Sequence, residues 1–223
     1  MQEHAHPRPK ARPQVSDGAT TRLFENPILE GLTRTHIAIP LVIFYGSAVF
    51  AWAYYASIGV AAILVLAASF LGGFLLFTLI EYLVHRYVFH MLADTPGRER
   101  IQYMFHGVHH EYPRDKERLA MPPIVSMLIA GILLSLLQWI GGPPGVIGGT
   151  GFLSGYATYL LVHYSIHRFK PPKNGLRMLW KNHNIHHFKD DTVAYGVSSP
   201  LWDYVFGTFP YQYYKKSRPS HAR

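Results

Sequence analysis

The chain contains no cysteine, which removes disulfides, thiolate metal sites and a cysteine nucleophile from consideration at once. Charge is missing from two long stretches: no Asp, Glu, Lys or Arg occurs from Ile37 to Ile80, or from Leu119 to Val162, although these types make up 15% of the 223 residues. A bilayer crossing takes about 20 apolar residues, so each stretch predicts two helices joined by a tight turn. Soluble core helices rarely sustain such lengths. No signal peptide is expected either, because residues 1–10 are polar and broken by proline and the first apolar run is too long for an h-region.

What charge there is lies outside the apolar stretches. All 21 Lys and Arg fall in 1–36, 81–118 or 163–223, and with four crossings those regions share one face, which the positive-inside rule makes cytoplasmic. The expected architecture is an all-α integral membrane protein, in a bacterial inner membrane or the endoplasmic reticulum, with four transmembrane helices in two hairpins. Residues 1–36 read as a cytoplasmic tail, disordered to about residue 22, followed by an interfacial segment; 37–210 as the membrane-embedded domain with a cytosolic helical cap; and 211–223 as a basic tail. The net charge of +8 suits anionic lipid head groups. Nucleic acid is not expected as a partner, since the basic residues form no ordered stripe with stacking aromatics.

Turn signals support the hairpins. Ile58 and Gly59 mark the first reversal, and Gly141-Gly142-Pro143-Pro144-Gly145 the second. Pro122 stands near the start of the third helix, where a missing N–H costs little. Gly72, Gly73, Gly151 and Gly155 predict close helix packing; they lack the G-x-G-x-x-G spacing of a dinucleotide site.

Histidine carries the chemistry. Ten of the 14 histidines are clustered: His85 with His90, His106-Gly107-Val108-His109-His110, His163 with His167, and His183-Asn184-Ile185-His186-His187. On a helix, positions i, i+3 and i+4 share a face, so each H-x-x-H-H run is expected to aim three imidazoles at one spot. His85 and His90, five apart, diverge on a regular helix, so a local bulge or helix end must re-aim one of them. Burying ten imidazoles without a cation would leave their ring nitrogens to be satisfied one by one, at roughly 1 to 3 kcal/mol for each failure. Ten ligands exceed the four to six of one first-row ion, so two ions are implied.

A shift of 77 residues carries His90, His106, His109 and His110 onto His167, His183, His186 and His187, and brings Tyr82, Leu83, Tyr87 and Arg100 onto Tyr159, Leu160, Tyr164 and Arg177. Each half thus contributes five imidazoles to the site, and neither half alone can complete it. Imidazole alone does not name the metal, since it suits Zn, Fe, Cu and Ni. Location narrows the choice: ions at the ends of membrane helices meet apolar chains with strong C–H bonds, which zinc cannot oxidise and non-haem iron with dioxygen can. Glu81, one turn before His85, is a candidate partner for a ligand's second nitrogen, and Asp203 a second candidate for supporting a ligand.

With these motifs in order, the chain resembles the fatty acid hydroxylase superfamily of membrane-bound non-haem di-iron enzymes, which includes sterol desaturases and oxidases. The stretches Arg118-Leu119-Ala120-Met121-Pro122-Pro123 and Tyr195-Gly196-Val197-Ser198-Ser199-Pro200-Leu201-Trp202-Asp203-Tyr204 are most similar to fatty acid 2-hydroxylases. The resemblance implies that His85, His90, His106, His109, His110, His163, His167, His183, His186 and His187 ligate two iron ions, replaceable by zinc on purification. It also implies that O2 is the cosubstrate and that a lipid acyl chain is hydroxylated at carbon 2. Arg86, Arg114, Lys116 and Arg118 are candidates to hold the lipid head group at the interface. The family's eukaryotic His-Pro-Gly-Gly haem motif is absent, so a separate cytochrome b5-like or ferredoxin-like protein is expected to deliver electrons. Rival expectations are a sterol-type desaturase or oxidase on the same fold and a non-catalytic metal-binding membrane protein.

Overall fold

A computed structural model describes Pro13, Ser16 and residues 19–214. His4, His6 and His221, most of the expected N-terminal tail, and residues 215–223 of the expected C-terminal tail lie outside the described residues.

All described secondary structure is helical. α1 (Pro27–Leu32) starts where the Asn26 side chain accepts from the N–H groups of Ile28 and Leu29, with Pro27 pre-set for the first turn. α2 (Ala38–Ser57) carries no charged residue and α3 (Ile63–Val84) only Glu81 near its end; they are joined by a turn at Gly59, whose φ of 61° favours glycine. After α3, α4 (Pro96–Gln102) and α5 (Val108–Glu111) lead to α6 (Pro123–Arg168), and α7 (Arg177–Phe188) and α8 (Leu201–Val205) close the chain.

α6 reverses at Gly142, where φ is 56°. The returning limb lies against the outgoing one: a Cβ at Gly149 would meet the Leu134 and Leu137 side chains at 2.6 and 3.0 Å, and Ala130 packs with Leu153 and Ala157. The expected five-residue turn therefore contracts to one glycine, because Pro143 and Pro144 can begin the returning limb, where their missing N–H groups are not needed. Three stretches, Ala38–Ser57, Ile63–Phe89 and Pro123–Arg168, are long and apolar enough to cross a membrane, and the chain is a multi-pass membrane protein.

Its surface fits that medium. Val42, Phe50, Leu64, Leu71, Leu128 and Ile132 are all largely exposed, an apolar area that a water-soluble monomer would not carry. Hydroxyls inside the helices bond back to carbonyls of the same helix, as Ser47 does to Phe44, Thr78 to Leu75 and Thr150 to Ile147, which satisfies them where water is absent. Packing then depends on close approach. α3 lies chiefly on α6, and a Cβ at Gly73 would sit 1.8 Å from the Gly148 carbonyl oxygen, one at Gly151 2.1 Å from that of Phe70.

Residues 19–35 are tied to the loop after α5. Buried Glu30 accepts from the Arg118 guanidinium at 2.5 Å and from the Leu23 N–H at 2.9 Å, and Arg118 also donates to the Thr21 carbonyl at 2.6 Å. Arg118, expected at a lipid head group, is thereby buried in ion pairs with Glu30 and Asp115.

Candidate metal centre

The helix ends bring all ten clustered histidines together in two groups of five. The first holds His85, His90, His106, His110 and His186; the second holds His109, His163, His167, His183 and His187; in each, one ring nitrogen per residue lies within 4.8 Å of the others. The H-x-x-H-H runs do not aim three imidazoles at one spot. Positions i and i+4 of each run go to one group and i+3 to the other, because i+3 and i+4 fall on opposite sides of i, about 100° apart around the helix. The 77-residue correspondence accordingly maps one group onto the other, with His109 and His186 exchanged.

Local helix geometry sets these directions. His85–Phe89 is a π-helical turn in which the His90 N–H donates to the His85 carbonyl five residues back, the bulge that a five-residue spacing demands. A second π-turn, Tyr103–Gly107, precedes His109 and His110; no spacing signalled it. In α7 the four-residue step from His183 to His187 needs no such device. Leu179 and Trp180 anchor that helix against Ile166 and Val197, and the Trp180 indole donates to the Phe169 carbonyl at 3.0 Å.

The ring nitrogens fit a cation. Nε2–Nε2 distances are 3.0 Å for His85–His106, 2.9 Å for His106–His110 and 3.0 Å for His90–His186 in the first group. In the second they are 2.9 Å for His109–His163, 3.1 Å for His109–His187 and 2.9 Å for His167–His183. Bonds of about 2.1 Å to one ion place nitrogens about 3.0 Å apart at right angles and about 3.4 Å apart in a tetrahedron. The three spacings near 3.0 Å in each group match the right-angle value, and five donors around a six-coordinate ion would leave one position for a further ligand. The His85 Nδ1–H donates to the Tyr195 carbonyl at 2.5 Å and the His186 Nδ1–H to the Val193 carbonyl at 2.8 Å. Both Nε2 atoms therefore carry a lone pair directed into the group, the tautomer in which an imidazole can ligate a cation. Burial, and after it the neighbouring imidazoles, hold His106, His109, His183 and His187 well below the usual histidine range, so they remain neutral donors.

The carboxylates act one step further out. Glu81 does not reach a ligand nitrogen; it accepts from the N–H groups of Val197 at 2.7 Å and Ser198 at 2.9 Å and from the Ser198 hydroxyl. Asp203, fully buried, accepts from the N–H groups of Tyr195 and Gly196, each at 2.9 Å, and from the Thr208 hydroxyl at 2.7 Å. Both thus hold the loop whose Tyr195 carbonyl positions His85. Those backbone carbonyls carry no side-chain signature and were not legible from the motifs.

Two concavities border the centre. One, of about 400 Å³, is lined by Arg86, Tyr87, Val88, His90, Met91, Leu92 and Arg98. The other is a small cleft where Arg114, Lys116 and Arg168 surround His167.

The family model described as fatty acid hydroxylase matches residues 70–208. A dihydroceramide fatty acyl 2-hydroxylase of Arabidopsis thaliana is 38% identical over 141 residues, 62% of this chain and 59% of that protein. The fatty acid 2-hydroxylase of Homo sapiens is 32% identical over 215 residues, 84% of this chain and 56% of that protein. The chain thus spans just over half the length of these curated relatives. The solved hydroxylase domain of scs7p superimposes with a TM-score of 0.76 at 32% identity, covering 86% of this chain and 73% of that one.

Proposed function

The chain belongs to the fatty acid hydroxylase family, and from that membership we propose that it is a membrane-bound non-haem di-iron hydroxylase that acts on a fatty acyl lipid at carbon 2. The observation that carries the reading is the convergence of two five-imidazole groups at the ends of apolar helices, next to the medium in which an acyl chain dissolves. The names of the relatives, fatty acid 2-hydroxylase and dihydroceramide fatty acyl 2-hydroxylase, favour carbon 2. α2, α3 and the two limbs of α6 make four crossings with the reversals at Gly59 and Gly142 on one side. The ten clustered histidines and the Lys and Arg of the described residues then face the cytoplasm.

Iron held by the ten histidines would supply the reduction of O2 by two external electrons and two protons, with one oxygen entering a C–H bond as hydroxyl and the other leaving as water. The rest is positioning. Arg86 is placed to hold the lipid head: it lines the same concavity as His90, and its guanidinium lies over the rings of Tyr82, Tyr87 and Tyr195 at 5.1 to 5.9 Å. A head held there leaves the carbons next to it level with the first histidine group, and the apolar helix faces receive the tail. Electrons would come from a separate acidic carrier drawn to the basic face.

Expression in a host lacking 2-hydroxy lipids, with a competent reductase, should yield 2-hydroxy fatty acids that vanish in His186→Ala. A new sterol double bond, an oxidised sterol or hydroxylation far along the chain would overturn the carbon-2 assignment.

A further inference from the structure

The two histidine groups are related by the 77-residue correspondence, yet their surroundings differ. Outside the first group runs a single loop that presents acceptors to three of its five rings. The Tyr195 carbonyl takes the His85 Nδ1–H, the Val193 carbonyl takes that of His186, and the Asp191 carboxylate stands 3.6 Å from His90 Nδ1. The loop is rigidly held. Asp203 and Glu81 bind four of its N–H groups between residues 195 and 198, and the Ala194 N–H donates to the Thr208 carbonyl at 2.9 Å. Ala194 itself sits at a φ of 59°, a conformation a residue with a Cβ keeps only when its surroundings impose it. Gly196 admits no side chain, since a Cβ would lie 2.1 Å from the Ser199 carbonyl oxygen.

Among the described residues the second group has no such loop. His163, His183 and His187 are buried, and among the described residues their Nδ1 atoms have no protein acceptor. The stretch corresponding to 191–195 is 114–118, which is turned instead toward the N-terminal segment through Arg118 and Glu30. Where Asp191 faces His90, the corresponding Arg114 shares a cleft with the corresponding His167, so a guanidinium replaces a carboxylate beside the site.

We propose that the two groups are unequal metal sites: His85, His90, His106, His110 and His186 form the preorganised site that fills first and releases last, and His109, His163, His167, His183 and His187 form an exchangeable one. This rests on the dimetal reading above. In the first site the protons of His85 and His186 already sit on Nδ1, with Nε2 aimed inward, so a cation meets ligands that need no rearrangement. In the second, ligation through Nε2 leaves buried N–H groups without an acceptor and brings a cation toward Arg114. Ligand orientation by outer acceptors is commonly worth about 10- to 100-fold in metal affinity, and the difference between the sites should reach at least tenfold.

The full chain, stripped of metal in detergent, would be titrated with cobalt(II) at buffered free concentrations while bound metal per chain and the visible spectrum are read. Two steps of one ion each, separated by tenfold or more, are expected, with His183→Ala removing the weaker and His85→Ala the tighter. Because His85→Ala could impair folding, Asp203→Asn provides a second handle. It keeps every ligand but sets an amide N–H against a loop N–H, and it should weaken the tight step by about 10- to 100-fold without moving the other. A single two-ion step, a tight step lost with His183→Ala, or equal shifts of both steps in Asp203→Asn would overturn the inequality and leave the dimetal reading standing. Failure to bind a second ion at any concentration would overturn both.

Discussion

His109 and His186 occupy the same place in their motifs and serve opposite groups. His109→Ala should therefore empty the second site alone and His186→Ala the first alone, taking metal from two ions per chain to one in each case and activity to background; metal analysis beside a product assay checks both. Acid should act later than free imidazole suggests. Unperturbed histidine titrates at about 6.5, but burial and then neighbouring imidazoles depress His106, His109, His183 and His187. Below 6.5 the unfolded chain binds protons that the folded one does not, so stability of the metal-free protein falls as pH drops through that window, while the rings that fold it in stay neutral and ligating. Metal content after dialysis at stepped pH should hold through about pH 6 and be lost at more acidic values; half-loss at 6.5 or above would contradict the burial argument.

Among the elements, the ion pair between α1 and the loop after α5 rests on one carboxylate, Glu30. Burial works against the ionised form of Glu30, but the N–H groups of Leu23 and Phe24 and the guanidiniums of Arg118 and Arg34 outweigh it and hold the group at about 2, below its ordinary 4.5. The stabilisation is complete above about 4.5 and disappears as pH falls toward 2. Glu30→Gln leaves Arg118 buried with Asp115 as its remaining carboxylate; a cost of about 3 kcal/mol, the low end for breaking a buried pair, should appear as a lowered unfolding temperature and easier proteolysis near residues 19–35. Between α3 and α6 the limit is space. Gly73→Ala places a methyl against the Gly148 carbonyl oxygen, and overpacking of this kind costs about 1 to 3 kcal/mol or more, whereas Gly72→Ala, which meets nothing within 4 Å, should leave thermal unfolding unchanged.

For the whole molecule, the absence of cysteine makes the proposed topology directly testable. Single cysteines at Ser57 or Gly142 should react with an impermeant thiol reagent from one side of sealed vesicles, and a cysteine at Lys173 from the other; labelling of Gly142→Cys and Lys173→Cys from the same side would remove the four-crossing arrangement. The membrane class, the reversals at Gly59 and Gly142, the bulge after His85 and the set of ten clustered histidines were all legible in the chain, because absence of charge, glycine at a reversal and five-residue spacing are local and act through the residues that display them. Which histidines share a group was decided only in three dimensions: His186 joins His85 across 101 positions, and a motif read on one helix does not say that its third member crosses to the other group. The outer support was equally hidden. Glu81 stood one turn from a ligand and turned out to hold the backbone of Val197 and Ser198, while the groups that orient His85 and His186 are main-chain carbonyls, which every residue possesses and only a folded loop can aim.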